Sequence, residues 1–405
     1  MDTFTTSYGR TLKCDPDFLA AHTVVSDDVS GTQPTQYDVS KKYVQKMEIS
    51  DFIKDKLEYD LLMGFVESLG QGPWKNAIDV GGAEGTMAYL LKAEGLAEHA
   101  SVLEIRDMRD TLTPAHFKKL ELLLQGLKHI KHFNKKLQKK LFTSHMANFG
   151  YIPPKNSKFW KVPKYIYKAK VDDYIIGDFY EQSGKYDLIT MFLCIQHFDV
   201  ERLFAKVYDM LEEGGTYCFL VDSWWWPVNS SGIVGEFPYA CQRLNKDDFK
   251  RYVETNAPNQ AKSILTRYNY YHHGKQRPTI MDYIRLAEAA GLTLLGYRRL
   301  MPLEKTHPKT PVNTRAVEDF SDATLDDVLK DIHQFRSDVT KTDLQTAFTM
   351  AVFTKKSKKK QPMKEYLDNL NSTNYGYYNH PGKKLNRTKA FNPLMVRFYE
   401  FLRRM

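Results

Sequence analysis

Apolar positions along this 405-residue chain recur at two spacings, and each patterned stretch between turns predicts an element. From Tyr43 to Leu69 the residues Tyr43, Met47, Phe52, Leu57, Leu61, Leu62, Phe65 and Leu69 fall at helical intervals, which predicts two helices beside a first strand. Ala77, Ile78 and Val80 then read as a strand buried on both faces, and Ala83, Met87, Leu90 and Leu91 as one face of a helix. Between them stand Gly81, Gly82 and Gly85, whose missing Cβ atoms let the backbone turn sharply and approach a ligand. Farther on, strands are predicted at 100–105, within 173–179, from 186 running into a loop by 198, and at 216–222, 292–300 and 346–354, with helices at 201–211, 246–253 and 279–291. Thr279 caps the last of these helices and Gly291 stops it.

Where periodicity fails, composition takes over. Residues 1–36 carry little beyond the apolar patch Phe18–Ala21 and read as an arm. Residues 109–170 interrupt the strand–helix alternation. Their first half sets Leu and Phe against a Lys- and His-rich face, a cationic amphipathic helical pair. Their second half interleaves Lys and Pro with Phe159, Trp160, Tyr165 and Tyr167, which either grips a nucleic-acid strand or forms a solvated lid with its aromatics on the core. Trp224, Trp225 and Trp226 follow the strand at 216–222, and three tryptophans in a row cannot all enter one core layer. With Tyr239, Tyr271 and His272 they are expected to cap an acceptor site, as an aromatic enclosure that also suits a cation.

The formal net charge of +9 is concentrated in the insertion and in a tail that opens with Lys355–Lys360, so it speaks for local interaction segments rather than a uniformly basic surface. Four scattered cysteines without a C-x-x-C pair indicate neither a disulfide framework nor a zinc site, and no metal is expected. No apolar run approaches the roughly 18 residues of a membrane span, and no leader is visible, so a soluble, cytoplasmic protein is expected.

The run 76–91 does not fit the dinucleotide fingerprint G-x-G-x-x-G, because its glycines fall at 81, 82 and 85. It resembles motif I of the class I S-adenosylmethionine-dependent methyltransferases, Asp-x-Gly-x-Gly-x-Gly, kept at Asp79, Gly81 and Gly85 with Ala83 in the middle glycine slot. A second block resembles the same family: the strand from Tyr186, Gln196-His197, a helix, Leu211-Glu-Glu-Gly-Gly215 and another strand. The resemblance implies an α/β fold with a seven-stranded, mostly parallel, doubly wound sheet, a helical insertion after the second strand and a cap after the fifth. It implies S-adenosylmethionine as cofactor, with Asp79 facing the methionine ammonium and Gly81, Gly82, Ala83 and Gly85 lying against the ligand. Glu104, about twenty residues on, is expected at the ribose hydroxyls, as in nucleotide folds. Asp178 is expected at the adenine amino group, Phe179 over the ring, and Leu193 in the neighbouring loop. His197, at the mouth of the fourth core strand, is the leading candidate for general base or acceptor-orienting residue, against the plainer role of a backbone hydrogen bond. His272 and His273 are weaker candidates.

The expected organisation is an arm and lid at 1–50, a methyltransferase core at 51–355 containing the basic insertion (109–170) and substrate cap (223–278), and a basic tail at 356–405. The chain lacks Asn/Asp-Pro-Pro-Tyr/Phe, a Pro-Cys nucleophile, H-E-x-x-H, G-K-[ST] and G-x-S-x-G, which excludes the chemistries those motifs serve. Two acceptor classes are expected: an O or N atom of a small organic molecule, or RNA of the cap or 5′-end type held by the lysine-rich segments. A silent partner subunit that keeps the fold without turnover is the third. Oligomeric state is left open.

Overall fold

The computed structural model describes residues 3–15, 49–108, 118, 122, 171–226, 235–272, 277–301, 322–355 and 365–369. A hairpin of β1 (Thr3–Thr5) and β2 (Thr11–Lys13) precedes α1 (Ile49–Ser68), β3 (Trp74–Val80), α2 (Thr86–Ala93) and β4 (Ala97–Glu104). Next come β5 (Asp173–Ile176), β6 (Tyr186–Phe192), α3 (Val200–Met210) and β7 (Leu211–Asp222). Then follow α4 (Ala240–Arg243), α5 (Lys246–Asn256), α6 (Ala261–His272), α7 (Ile280–Ala289) and β8 (Thr293–Met301). The remaining elements are α8 (Asp322–Ile332), α9 (Lys341–Gln345), β9 (Phe348–Thr354) and β10 (Glu365–Asn369).

The main sheet runs β10-β8-β9-β7-β6-β3-β4-β5. Its pairs are parallel except those of β9, which is antiparallel to both β7 and β8. Seven of these strands are the expected ones; β10, from inside the basic tail, adds an eighth at the edge, pairing Glu365 with Tyr297. Every residue of β9 is buried, and β3 and β7 are buried over their C-terminal halves, which explains their near-continuous apolar runs. From β3 the chain steps outward through β4 and β5, then returns to lay β6 and β7 on the other flank. Ligands of such sheets bind in the crevice at the carboxyl ends of the strands where the order reverses, here between β3 and β6.

A second apolar core gathers outside the sheet. Trp224, Trp225, Phe237, Tyr239, Phe249, Tyr252 and Tyr268 pack with Leu325, Val328 and Ile332 of α8 and with Phe4 and Leu12 of the hairpin. The N-terminal residues up to Asp15 are therefore not the loose arm expected from their composition. Phe4 stacks edge-on against Tyr252, the Ser7 N–H donates to Asp248 at 2.9 Å, and Arg10 pairs with Asp327 and with Asp331. Asp331 is fully buried and also receives Arg243 Nε at 2.6 Å, so the hairpin is pinned by shared charges. The basic insertion, apart from Lys118 and Leu122, and the tail, apart from β10, lie outside the described residues, as does most of the segment from 16 to 50.

Candidate cofactor and active site

The crevice between β3 and β6 opens into a cleft of about 530 Å³, inside the usual range of roughly 300–1,000 Å³ for small-molecule sites. Asp79, next to last in β3, is 1 % exposed. Its Oδ1 accepts from Thr190 Oγ1 at 2.7 Å, the residue that faces it in β6, while Oδ2 has no hydrogen-bond partner. Burial pushes this carboxyl from its ordinary 3.8 up to about 7; the Thr190 bond pulls it back, and Glu104 nearby adds to the rise. A buried carboxylate oxygen without a donor is costly, and a ligand cation would relieve that cost.

The turn that follows is held against the strand ends. The Gly81 N–H donates to the Leu103 carbonyl at 2.8 Å, and the Gly85 N–H donates to Gly82 O at 2.7 Å. A Cβ on Gly82 would stand 2.6 Å from Asp79 Oδ2, so only glycine lets the turn pass over that carboxylate. Gly85 stands apart from the other glycines of the turn. It is the cap residue of α2 at φ 93, its added Cβ would lie 3.2 Å from Val102 Cγ2, and it does not line the cleft. Its task is close packing of α2 on β4.

Of the other expected cofactor residues, Asp79, Gly81, Gly82, Ala83, Glu104, Asp178, Phe179 and Leu193 all line the cleft. Glu104 Oε2 accepts from the Ala83 N–H at 3.1 Å and Oε1 from the Ile105 N–H at 2.9 Å. Burial raises the Glu104 carboxyl, and these two backbone donors oppose the rise. Asp178 caps the short 3-10 turn that follows β5 by accepting from the Tyr180 N–H at 2.8 Å. Phe179 is buried edge-on to Tyr180 and Phe198. Leu193 takes φ 51 as the chain leaves β6, and His197, exposed at the end of the next 3-10 turn, lines the mouth.

The substrate expectation for the tryptophans is corrected. Trp224, Trp225 and Tyr239 do not line the cleft; they are 5 %, 0 % and 2 % exposed in the second core. An aromatic box does form, but its cation is the protein's own Arg277, whose guanidinium lies 5.3 Å from the Trp224 ring, 5.6 Å from Tyr268 and 5.4 Å from Phe335. Trp225 likewise receives Arg336 at 5.6 Å and donates its Nε1–H to the Arg277 carbonyl at 3.1 Å. Tyr271 and His272 belong to α6, which packs beside the 3-10 turn bearing His197, and their side chains lie outside the described residues, as does His273.

Two acids of α1, Asp55 and Glu58, line the cleft and were not singled out in the sequence. They sit three apart on a helix whose register is held by Lys56, 3.6 Å from Glu94, and by the Tyr59 hydroxyl, which donates to Glu94 at 3.3 Å. The acid pair at helical spacing ahead of the first strand was the available signal. Cys194 and Arg106, also on the wall, carried none.

A parallel sheet with its antiparallel strand set between β7 and β8, and a glycine turn over a half-paired buried carboxylate at the switch point, define a class I methyltransferase fold. The chain belongs to the methyltransferase-domain family, whose model matches residues 54–295, and it is an S-adenosylmethionine-dependent methyltransferase. Among solved structures it is similar to phosphoethanolamine N-methyltransferase 2 of Haemonchus contortus in complex with S-adenosylmethionine, at 12 % identity over 76 % of this chain, with a TM-score of 0.35. That match spans 58 % of the nematode chain. It is also similar to geranyl diphosphate C-methyltransferase of Streptomyces coelicolor A3(2), at 11 % identity over 74 % of this chain and 75 % of that one, with a TM-score of 0.33. A third likeness is an S-adenosylmethionine-dependent methyltransferase of Mesorhizobium loti, at 10 % identity over 72 % and 95 %, with a TM-score of 0.31. A search of curated proteins returns no match.

The residues present fit the cofactor. Asp79 offers an unpaired anionic oxygen for an ammonium, Glu104 an acid at a strand end for hydroxyls, and Phe179 with Phe198 an apolar flank for a base. Among the described residues no helix is long and apolar enough to cross a membrane, and no group of His, Cys, Asp and Glu is arranged to hold a metal ion.

Proposed function

We propose that this methyltransferase acts on an O or N atom of a small organic acceptor. The observation that carries the reading is the charge of the cleft wall. Asp55, Glu58, Asp79, Glu84, Glu104 and Asp178 line it against Arg106 among the described residues, although the chain as a whole carries +9. A wall of that sign repels a phosphate backbone and raises the local concentration of a cationic acceptor such as an amine.

S-adenosylmethionine supplies the electrophilic methyl group. The chain supplies alignment, from which most of the gain in such a displacement comes. Asp79 and Glu104 anchor the donor end, Phe179 and Phe198 exclude water at the base, and His197 at the rim orients the acceptor and takes its proton when the acceptor carries one. The helix α6 packs beside the His197 turn, with none of its described residues lining the cleft, and carries Tyr271 and His272 at its end.

The test is transfer of labelled methyl from S-adenosylmethionine into fractionated cell extract, with and without nuclease. Label is expected in the low-mass fraction and insensitive to nuclease. Label in nuclease-sensitive material would replace the reading with RNA methylation through the lysine-rich segments, and cofactor binding without transfer to any fraction would replace it with the silent partner subunit.

A further inference from the structure

Ala83 occupies the middle of the glycine turn in the left-handed region, at φ 45. That conformation costs a residue bearing a Cβ on the order of 1–2 kcal/mol. Two side chains from adjacent strands hold it there. Glu104 at the end of β4 takes the Ala83 N–H at 3.1 Å, and the Tyr174 hydroxyl of β5 donates to the Ala83 carbonyl at 2.6 Å. The same phenol oxygen accepts from the Met108 N–H at 3.1 Å, so one side chain ties the turn after β3 to the chain that leaves β4. Tyr174 itself does not line the cleft, whereas Ala83, Glu104 and Met108 do. Burial, helped by the carboxylates of Glu104, Asp107 and Glu84, keeps the phenol protonated and therefore a donor.

We infer that Tyr174 is a positioning residue for the cofactor: its hydroxyl clamps the Ala83 peptide, keeps Ala83 left-handed and so sets the backbone of the turn against the ligand. The inference rests on the cleft being the S-adenosylmethionine site. In the family pattern this slot holds glycine, which takes positive φ at no steric cost; here alanine takes it, and the tyrosine clamp supplies what the missing hydrogen atom does not.

The test uses the full chain and calorimetric titration with S-adenosylhomocysteine. Tyr174→Phe keeps the ring and loses both hydroxyl bonds, and the dissociation constant is expected to rise about tenfold. Ala83→Gly in that background is expected to recover at least about threefold of the loss, because glycine needs no clamp. Tyr8→Phe serves as control: it deletes a hydroxyl bond to the Arg243 carbonyl, 3.0 Å long and outside the cleft, and should lower the melting temperature while leaving the affinity unchanged. Tyr174→Phe binding like the unaltered chain, or a loss that Ala83→Gly does not relieve, overturns the inference alone. Absence of binding by the unaltered chain overturns the cofactor reading and this inference together.

Discussion

The aromatic core around Trp224 and the cleft around Asp79 both bury charged side chains, and they balance that charge in opposite ways. Around Trp224 the cation is internal. Arg277 is 9 % exposed, faces three rings and donates to the Leu244 carbonyl at 3.0 Å, and Arg336 covers Trp225 while pairing with Asp282 at 2.8 Å. Around Asp79, among the described residues, no side-chain cation meets the carboxylate. The carboxylate keeps one oxygen without a donor, and the wall beyond it holds five further acids. Internal neutralisation yields scaffold, and a charge left open yields a site. An aromatic-rich, cation-friendly stretch is thus no guide to a ligand until the source of its cation is known.

Four changes sharpen or break that contrast. The largest effect is expected from His197→Ala, which should cut turnover by on the order of a hundredfold while leaving the affinity for S-adenosylhomocysteine intact. Full-rate transfer of labelled methyl by the variant would remove the proton-handling role. Next, Arg277→Met should destabilise the fold by about 3 kcal/mol, through lost cation–π and carbonyl contacts, with cofactor affinity unchanged. A denaturant titration beside a binding titration separates the two, and a variant that loses cofactor binding at full stability would make the aromatic core part of the site.

Asp79→Asn should behave in reverse. Affinity is expected to fall about thirtyfold, the value of a charge-assisted contact, while the melting temperature at pH 8 rises because a buried, half-paired carboxylate is gone. Unchanged affinity would show that the open oxygen faces no ligand. The smallest effect is the slope with pH. Asp79 holds its proton up to about pH 7 in the folded chain and to about 3.8 unfolded, so the folded state binds more protons between these values. Its contribution to stability is fully present below about pH 4 and is lost as pH rises through about 7. Binding of a cationic ligand needs the carboxylate, so affinity should climb as pH rises toward 7, by no more in all than the roughly thirtyfold that Asp79→Asn loses, and level off above it. Both slopes should flatten in Asp79→Asn.

The sheet and much of the cleft wall were readable in the sequence because their signals are local. Asp79, Gly81 and Gly82 lie within four consecutive residues whose backbone path permits few alternatives, Glu104 ends and Leu193 directly follows a strand with a clear apolar run, and Asp178 stands two residues past a shorter one. Thr279 and Gly291 were placed as cap and stop for the same reason: the capping box with Asp282 and the φ of 97 at Gly291 are built from neighbours in sequence. Gly85 was found by its place in the turn, where φ 93 calls for glycine, but the second reason for glycine there, the close approach of Val102 seventeen residues away on the next strand, was not legible.

Periodicity, turn chemistry and strand-end acids reside in a few adjacent residues, and from them the amino-acid order alone specified the alternating core, the carboxylate beneath the turn and the class of cofactor. Which tryptophan meets which cation, that Asp55 and Glu58 reach the wall, and that Tyr174 closes on Ala83 were settled only when distant segments packed. Arg277 joins Trp224 across 53 positions and Tyr174 joins Ala83 across 91. Pairings at such separations leave no trace in local spacing, because they are chosen by which faces the packed sheet and helices bring together.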